Sequence, residues 1–450
     1  MNSNSPKISI VGAGLVGSLF SCFLAKRGYK VDVYERRQDM RKANISAGKS
    51  INLAMSTRGW TALEKAGLKE KMEPLAIPMY SRMIHQQDGS VVTQAYGKEG
   101  EAIYSISRGD LNKIMMEVAE KEPNVNFHFN KKCTNVDFEE TTLSFKDYKT
   151  NEELDVKSDL IFAADGAFSA VRYNMQKVGR FNFSQSYLEH GYKELEIPAG
   201  LNGTHRIPRN HLHIWPREGF MLIALPNLDG SFTMTLFLAF KGKYSFDNLQ
   251  KDQEIKDFFE THFPTAIEHM PNYLADFHNN PTSSLSTIKT DPWFHNNVAL
   301  LGDSAHGIVP FYGQGMNSGF EDCRIMDELI DKHEGNNWDK ILQEYSDIRV
   351  ENGQAIADLA VRHFINMRDD TQDDNFLKRK AFEKIIMKNV PEFLPQYSMV
   401  SFSNIPYAVA MNKGDDQIKM LESLLFEYPN ETDWEKEEVF EKVRKFLREY

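Results

Sequence analysis

Residues 7–17 read Lys-Ile-Ser-Ile-Val-Gly-Ala-Gly-Leu-Val-Gly, a short apolar run that breaks into the glycines Gly12, Gly14 and Gly17. The run Lys7–Val11 predicts a buried strand, and Leu15, Leu19, Cys22 and Phe23 recur behind it at helical spacing. Gly28 closes that helix, and Tyr29–Glu35, with Val31 and Val33, predicts a second strand. Strand, helix and strand in this order imply a parallel pair with a right-handed crossover. In such a unit Gly12 permits the tight turn, Gly14 lets the backbone approach a pyrophosphate, and Gly17 lets the helix pack closely on the strand. The first N–H groups of the helix are then offered to the anion. Glu35 ends the second strand where a ribose 2′-hydroxyl would lie. A carboxylate there accepts from a free ribose and repels a 2′-phosphate, which favours FAD or NAD over NADP at this turn. The choice between FAD and NAD has to come from elsewhere in the chain.

Two further segments bear on that choice. Asp159–Arg172 contains the strand-like Leu160–Ala164 followed by Asp165-Gly166, and Val298–His306 contains a strand followed by Gly302-Asp303. Each places a carboxylate at the C-terminal edge of a sheet. Asp303 is positioned to accept from a ribityl chain. The turn Gly313–Asn317 aims a helix N-terminus at a flavin ring, where it would stabilise negative charge on the reduced form. Phe320, Cys323, Met326 and Ile330 give that helix one apolar side.

Between these segments the pattern changes. Leu212–Ile214, Phe220–Leu225 and Phe232–Phe240 are strand-like runs separated by the turn clusters 216–219 and 226–230, which predicts an antiparallel sheet. After about Trp338 the chain reads as helical, and Thr432 with Glu435 predicts a capping box for a last, highly charged helix. The expected fold is α/β: a Rossmann-like FAD-binding domain of the glutathione-reductase type, an inserted antiparallel β-sheet substrate domain, and a C-terminal helical region. The expected boundaries are 1–75, 100–178 and 286–345 for the first, 76–99 and 179–285 for the second, and 346–450 for the third.

A chain of 450 residues with 53 basic and 64 acidic residues carries a formal charge of -11. Phosphate backbones are bound by clustered Lys and Arg, so no nucleic-acid partner is expected. Cys22, Cys133 and Cys323 lie far apart without metal-ligand spacing, so no metal is expected. Residues Met1 to Pro6 carry no signal-peptide pattern, and no apolar run reaches the length of a membrane span. A cytoplasmic protein is expected.

The order Gly-x-Gly-x-x-Gly, Asp-Gly, Gly-Asp resembles that of the FAD-dependent aromatic hydroxylases related to para-hydroxybenzoate hydroxylase. The finer text is similar to the kynurenine-hydroxylating branch of that family. The matching stretches are Gly14–Leu19 with Phe23–Arg27, Ser50–Ala54, Ser81–His85, Ser105–Arg108, His213–Arg217, and Ile308–Asn317 with Gly319–Cys323. The resemblance spans roughly residues 5 to 408. It implies an NADPH-consuming monooxygenase that holds FAD and converts L-kynurenine to 3-hydroxy-L-kynurenine with dioxygen, through a flavin hydroperoxide, in tryptophan catabolism toward NAD. NADPH would bind transiently, since no second Gly-x-Gly-x-x-Gly is present.

By the same resemblance FAD is held by Val16, Tyr34, Glu35, Arg36, Arg37, Ala54, Arg108, Cys133, Asp303, Met316 and Asn317, beside Gly12, Gly14, Gly17 and Gly315. Arg82 and Tyr96 match the pair that grips the substrate carboxylate, and Tyr397 matches a third substrate contact. A bidentate arginine–carboxylate contact in a dry pocket suits such a ligand. The chain departs from the family where relatives carry an asparagine and, three residues on, a glutamate. Here His363 and Asn366 stand at those positions, on the helical stripe of Ile356, Leu359, Ala360 and Met367. They are expected to face inward and to tune the site, and His363 is expected to be able to change charge near neutral pH. The flavin is expected to carry the chemistry, with no side chain assigned as catalytic. Two other readings stay open: a flavin hydroxylase of another aromatic amine or acid, and a non-catalytic binding protein on the same fold. Animal members of the family carry a C-terminal membrane anchor, and the charged segment 436–450 predicts none here.

Overall fold

The computed structural model describes residues 5–42, 52–98, 100–368 and 374–449. Ser50 and Ile51 of the family stretch, and the side chain of Met367, lie outside the described residues. Lys7–Val11 pairs in parallel with Leu160–Ala163 on one side and Lys30–Glu35 on the other. The sheet extends in parallel to Val298–Leu300 and Val125–Phe129, with a two-residue antiparallel edge at Phe294–His295. Parallel neighbours end on the same sheet edge, so the turns at Gly12, Asp165 and Gly302 follow three adjacent strands. Strands inside such a sheet are covered on both faces and read as continuous apolar runs. Ile8, Ile10, Ile161, Phe162, Val298 and Leu300 are accordingly buried.

The helix Leu15–Lys26 is buried on nearly all sides, not on the single apolar face that its pattern predicts. The sheet covers one side, and the helices Arg108–Glu120 and Gly315–Lys332 cover the others. Its serines tolerate this because the hydroxyls of Ser18 and Ser21 donate to the carbonyls of Ala13 and Ser18.

A seven-stranded sheet runs in the order Ser283–Asp291, Asn182–Ile197, Phe232–Ala239, Phe220–Pro226, His211–Arg217, Ser81–His85, Val91–Ala95. It is antiparallel apart from the parallel pairing of Ser81–His85 with His211–Arg217. Two strands sit differently from the expected boundaries. Ala76–Met79 pairs with Ile103–Ser107 in a small sheet with Asn52–Met55, at an edge where Pro78 costs no ladder bond. Ser283–Asp291 belongs wholly to the large sheet, with Leu285 and Ile288 both buried.

The C-terminal region packs the helices Trp338–Arg368, Asp374–Asn389, Gln396–Ser401, Tyr407–Glu427 and Glu437–Glu449. The last helix begins at Glu437, and Thr432 lies in a separate turn, because Trp434 points inward and its Nε1 donates to the Tyr428 carbonyl at 3.0 Å. No helix among the described residues is long and apolar enough to cross a membrane.

Candidate functional site

The first turn is built by contact. Gly12 has φ +103°, and a Cβ there would lie 2.4 Å from the Ala164 carbonyl oxygen; one on Gly17 would lie 2.0 Å from the Gly12 oxygen. A Cβ on Gly14 would meet nothing within 4 Å, and Gly14 caps Leu15–Lys26 without a side-chain bond. The helix end is therefore closed on its packed side and open toward an incoming anion, which is the shape a pyrophosphate requires. Replacing Gly17 by alanine should weaken FAD binding by at least about ten-fold, about 1.4 kcal/mol, because backbone must shift to relieve the overlap. A flavin fluorescence titration measures this, and an unchanged dissociation constant would remove the turn from the cofactor site.

Glu35 is buried, accepting from Ala13 N at 3.0 Å and from Arg37 N and Nε at 2.9 Å each. Burial pushes its carboxyl up, but the Arg37 and Ala13 contacts outweigh that and hold it below the usual range. It is thus a fixed anion beside Gly14. Tyr34 turns into the core instead, stacked 4.4 Å from Phe145 and 4.7 Å from His128. Cys133 pairs across the strands with Phe145 and is buried, its thiol pushed up to about 12 chiefly by burial. Arg36, Arg37 and Arg108 extend into solvent.

The other two turns close on the first. Ser304 Oγ donates to Asp165 at 3.1 Å and accepts from Gly166 N at 2.9 Å, and Arg172 Nη1 donates to the Ser304 carbonyl at 2.9 Å. Asp303 keeps an exposed side chain at this edge. Cβ atoms on Gly302 and Gly319 would both press on Val16 Cγ2, at 2.8 and 2.6 Å, so Val16 sits where the first turn meets the Gly302 turn and the helix Gly315–Lys332. Asn317 ties the last of them to a neighbouring strand end: its Nδ2 donates to the carbonyls of Ala54 and Gly313 at 2.8 Å each, and its Oδ1 accepts from Ser56 N at 2.9 Å. Its side-chain hydrogen-bonding groups are thereby occupied by the chain itself. What this turn presents outward is the start of Gly315–Lys332, capped by Gln314 without a side-chain bond, together with half-buried Met316.

Tyr312, immediately before that turn, opens the second half of the site. Its ring stacks 5.5 Å from Tyr397, which stacks 5.7 Å from Tyr96. The Arg82 guanidinium lies 4.9 Å from the Tyr96 ring centre and 4.8 Å from that of Tyr397. Arg82 and Tyr96 are brought together by the hairpin Ser81–His85/Val91–Ala95, and Tyr397 arrives from the C-terminal helix Gln396–Ser401. The Tyr96 hydroxyl is buried and finds no acceptor for its proton among the described residues, its charged neighbour Arg82 being a donor only. Burial pushes its phenol well above the ordinary value, so it stays protonated as a donor. A buried donor without an acceptor costs about 1–3 kcal/mol, which a ligand oxygen would recover. Ala54, Leu212 and Ile223 pack beside Tyr96 and Tyr397, which makes the surroundings apolar.

His363 lies 4.7 Å from Tyr312 and 6.1 Å from Tyr397, ring centre to ring centre. Its ring stands beside the tyrosine stack, and it does not change charge near neutrality. Burial first, and then the positive charge of Arg82, pull its pKa down to about 3. Asn366 is half-buried one turn further along the same helix. His85 and His213 are also lowered, each to about 4 and each mainly by burial. Below about pH 6.5 the unfolded chain binds protons that these folded histidines refuse, so acid favours unfolding. The melting temperature should therefore fall between about pH 7 and pH 5, and His363→Asn should lessen the fall. A profile flat over that range would contradict the buried neutral imidazoles.

The FAD binding domain family matches residues 6–360. A kynurenine 3-monooxygenase of Flavobacterium johnsoniae is 47% identical over 446 residues, covering 99% of both chains. One from Dictyostelium discoideum is 42% identical, covering 94% of this chain and 93% of its own. The chain belongs to the kynurenine 3-monooxygenase family of FAD-binding proteins. In fold it also matches 2-methyl-3-hydroxypyridine-5-carboxylic acid oxygenase, with a TM-score of 0.67 at 17% identity over 82% of this chain and 94% of that one. PqsL of Pseudomonas aeruginosa in complex with 2-aminobenzoylacetate matches with a TM-score of 0.67 at 16% identity, covering 83% and 100%.

Within the kynurenine 3-monooxygenase family frame, the glycine cradle, the open helix ends and the fixed Glu35 fit FAD. Sequence reasoning assigned no role to several residues that build the site. Tyr312 lies inside the matched motif, and Asp165, Arg172, Ser304 and His306 sit in the quoted strand–turn segments. Arg58 and Arg349 carried no local signal, because their partners are remote in sequence.

Proposed function

We propose that this chain hydroxylates L-kynurenine to 3-hydroxy-L-kynurenine, with FAD bound along the Gly12–Gly17 turn and NADPH and dioxygen as co-substrates. The observation that carries this reading is the Arg82 guanidinium set against the stacked pair Tyr96 and Tyr397, with a Tyr96 hydroxyl that lacks an acceptor, next to the Tyr312–Asn317 turn. Bound FAD supplies the redox and oxygen chemistry. The chain's own residues bind and orient. Arg82 takes the substrate carboxylate as a charge-assisted pair, and Tyr96 donates to the same group. Tyr397 and Tyr312 offer ring faces to the aromatic amine and keep water from it. His363, neutral, leaves Arg82 without a second positive charge competing for the carboxylate. The helix start at Gly315–Asn317 would turn its positive end to the flavin when it is bound, where it would favour negative charge.

On this reading Glu35 and Gly14 hold the ribose and pyrophosphate, Val16, Ala54, Met316 and Cys133 shape the apolar walls, and Asp303, Arg108, Arg36 and Arg37 supply the polar rim. Tyr34 acts indirectly, by fixing the strand end on which Glu35 stands. Buried free thiols at Cys22, Cys133 and Cys323 support a cytoplasmic setting. The test is NADPH oxidation by the yellow holoenzyme: L-kynurenine should stimulate it strongly, and anthranilate or 4-hydroxybenzoate weakly. Equal stimulation by all three would favour a hydroxylase of another aromatic acid. A colourless protein that cannot be reconstituted with FAD would favour a binding protein.

A further inference from the structure

Arg58, in the helix Thr57–Lys65, is 0% exposed, and nothing in the proposed reaction uses it. A guanidinium so deep has to be matched at its donors. Nη1 donates to Glu321 at 2.6 Å, Nε donates to the Val400 carbonyl at 3.1 Å, and Nη2 donates to the Ile405 carbonyl. Its carbon lies 3.8 Å from the Tyr407 ring centre. Val400 is in the last turn of Gln396–Ser401, whose orphan carbonyls favour a cation, and the same short helix carries Tyr397.

The opposite side of this cluster reaches the flavin turns. Glu321 also accepts from Arg349 at 2.7 Å, and Arg349 donates to Asp322 at 2.7 Å. Asp322 in turn accepts from Gly302 N at 2.8 Å and pairs with His306 Nε2 at 2.6 Å. Gly302 has φ +57° and ψ -139°, a backbone state that needs holding. Tyr407 donates from its hydroxyl to Gln314, the cap of Gly315–Lys332, at 3.0 Å.

We propose that Arg58 is a positioning residue for the reaction, fixing the Tyr397 helix in register with the Gly302 turn and the start of Gly315–Lys332. The inference rests on reading the Arg82 pocket as the substrate site. Lysine cannot replace it, because a point charge cannot reach Glu321 and two carbonyls at once while lying flat on a ring. A small error of register is costly: displacement by about 1 Å lowers productive reaction by up to about a hundred-fold. Each failed turnover would still consume NADPH and dioxygen, giving hydrogen peroxide and NADP⁺ in place of product and water.

The test uses the Arg58→Lys holoenzyme. With L-kynurenine, product formed per NADPH oxidised should fall by about five-fold or more, while the FAD dissociation constant stays within about three-fold. Without substrate, amide hydrogen exchange across Gln396–Ser401 should be faster by about ten-fold. An unchanged exchange rate, or an unchanged product-to-NADPH ratio, overturns the proposal and leaves Arg58 as a plain buried ion-pair partner. Should Arg58→Lys not fold, Tyr407→Phe keeps the ring under the guanidinium and removes the bond to Gln314. It should show both changes in smaller measure, and the absence of either overturns the proposal equally. A wild-type enzyme that ignores L-kynurenine sinks the substrate reading alone, since the exchange measurement requires no substrate.

Discussion

Replacing Arg82 by methionine should raise KM for L-kynurenine by about a hundred-fold and leave FAD bound. Methionine keeps an apolar stem beside the two tyrosine rings and removes the charge. The pocket around Arg82 is built from Tyr96, Tyr397, Ala54, Leu212 and Ile223, so little water is available to solvate a stranded carboxylate. Truncating one member of a desolvated, hydrogen-bonded charge pair costs about 2–5 kcal/mol. At about 1.4 kcal/mol per ten-fold, about 2.8 kcal/mol, in the lower half of that range, gives the predicted factor. A carboxylate remote from the hydroxylated carbon is held equally in ground and transition states, so kcat should change far less than KM. Steady-state kinetics with the flavin absorbance as an internal measure of loading would show this. A KM within about three-fold of wild type would mean that the carboxylate binds elsewhere.

The second large effect should appear at Asp322. Its carboxylate is 0% exposed and serves Gly302 N, His306 Nε2 and Arg349 Nε. Burial raises its pKa, but His306 and Arg349 outweigh this and keep it below the usual carboxylate range. Asparagine has nearly the same shape, yet it carries no charge and turns one acceptor into a donor facing Arg349 or His306. Breaking a buried ion pair by removing one partner costs about 3–5 kcal/mol. Asp322→Asn should lose about that much stability, read as a lower melting temperature. It should also loosen FAD, because the Gly302 turn loses its anchor. A variant as stable as wild type, with FAD still bound, would show that the network is compensated elsewhere.

The fold was legible where one strand type dominates. Lys7–Val11, Leu160–Ala163 and Val298–Leu300 are short, mainly apolar runs followed within two residues by glycine or an acidic residue, the pattern expected of strands inside a parallel sheet. Edges were harder to place. Ala76–Met79 and Ser283–Asp291 are short or alternating strands whose partner sheet is set by packing, not by their own pattern. Within the site, Arg82, Tyr96 and Tyr397 could be named in advance only by resemblance, and in the structure the two rings stack with Arg82 against them. The protonation of His363 was not legible, since its lowered pKa comes from enclosure and from Arg82, both consequences of tertiary packing. The Arg58–Glu321–Arg349–Asp322 cluster was invisible for the same reason: Arg58 and Glu321 are separated by 263 positions.

Product analysis under isotopically heavy dioxygen tests the central claim most directly. The holoenzyme, supplied with NADPH and L-kynurenine, should release 3-hydroxykynurenine carrying one heavy oxygen atom, in step with the NADPH oxidised. Hydrogen peroxide as the sole oxygen product, with L-kynurenine recovered unchanged, would contradict the assignment of the Arg82–Tyr96–Tyr397 pocket as a hydroxylation site.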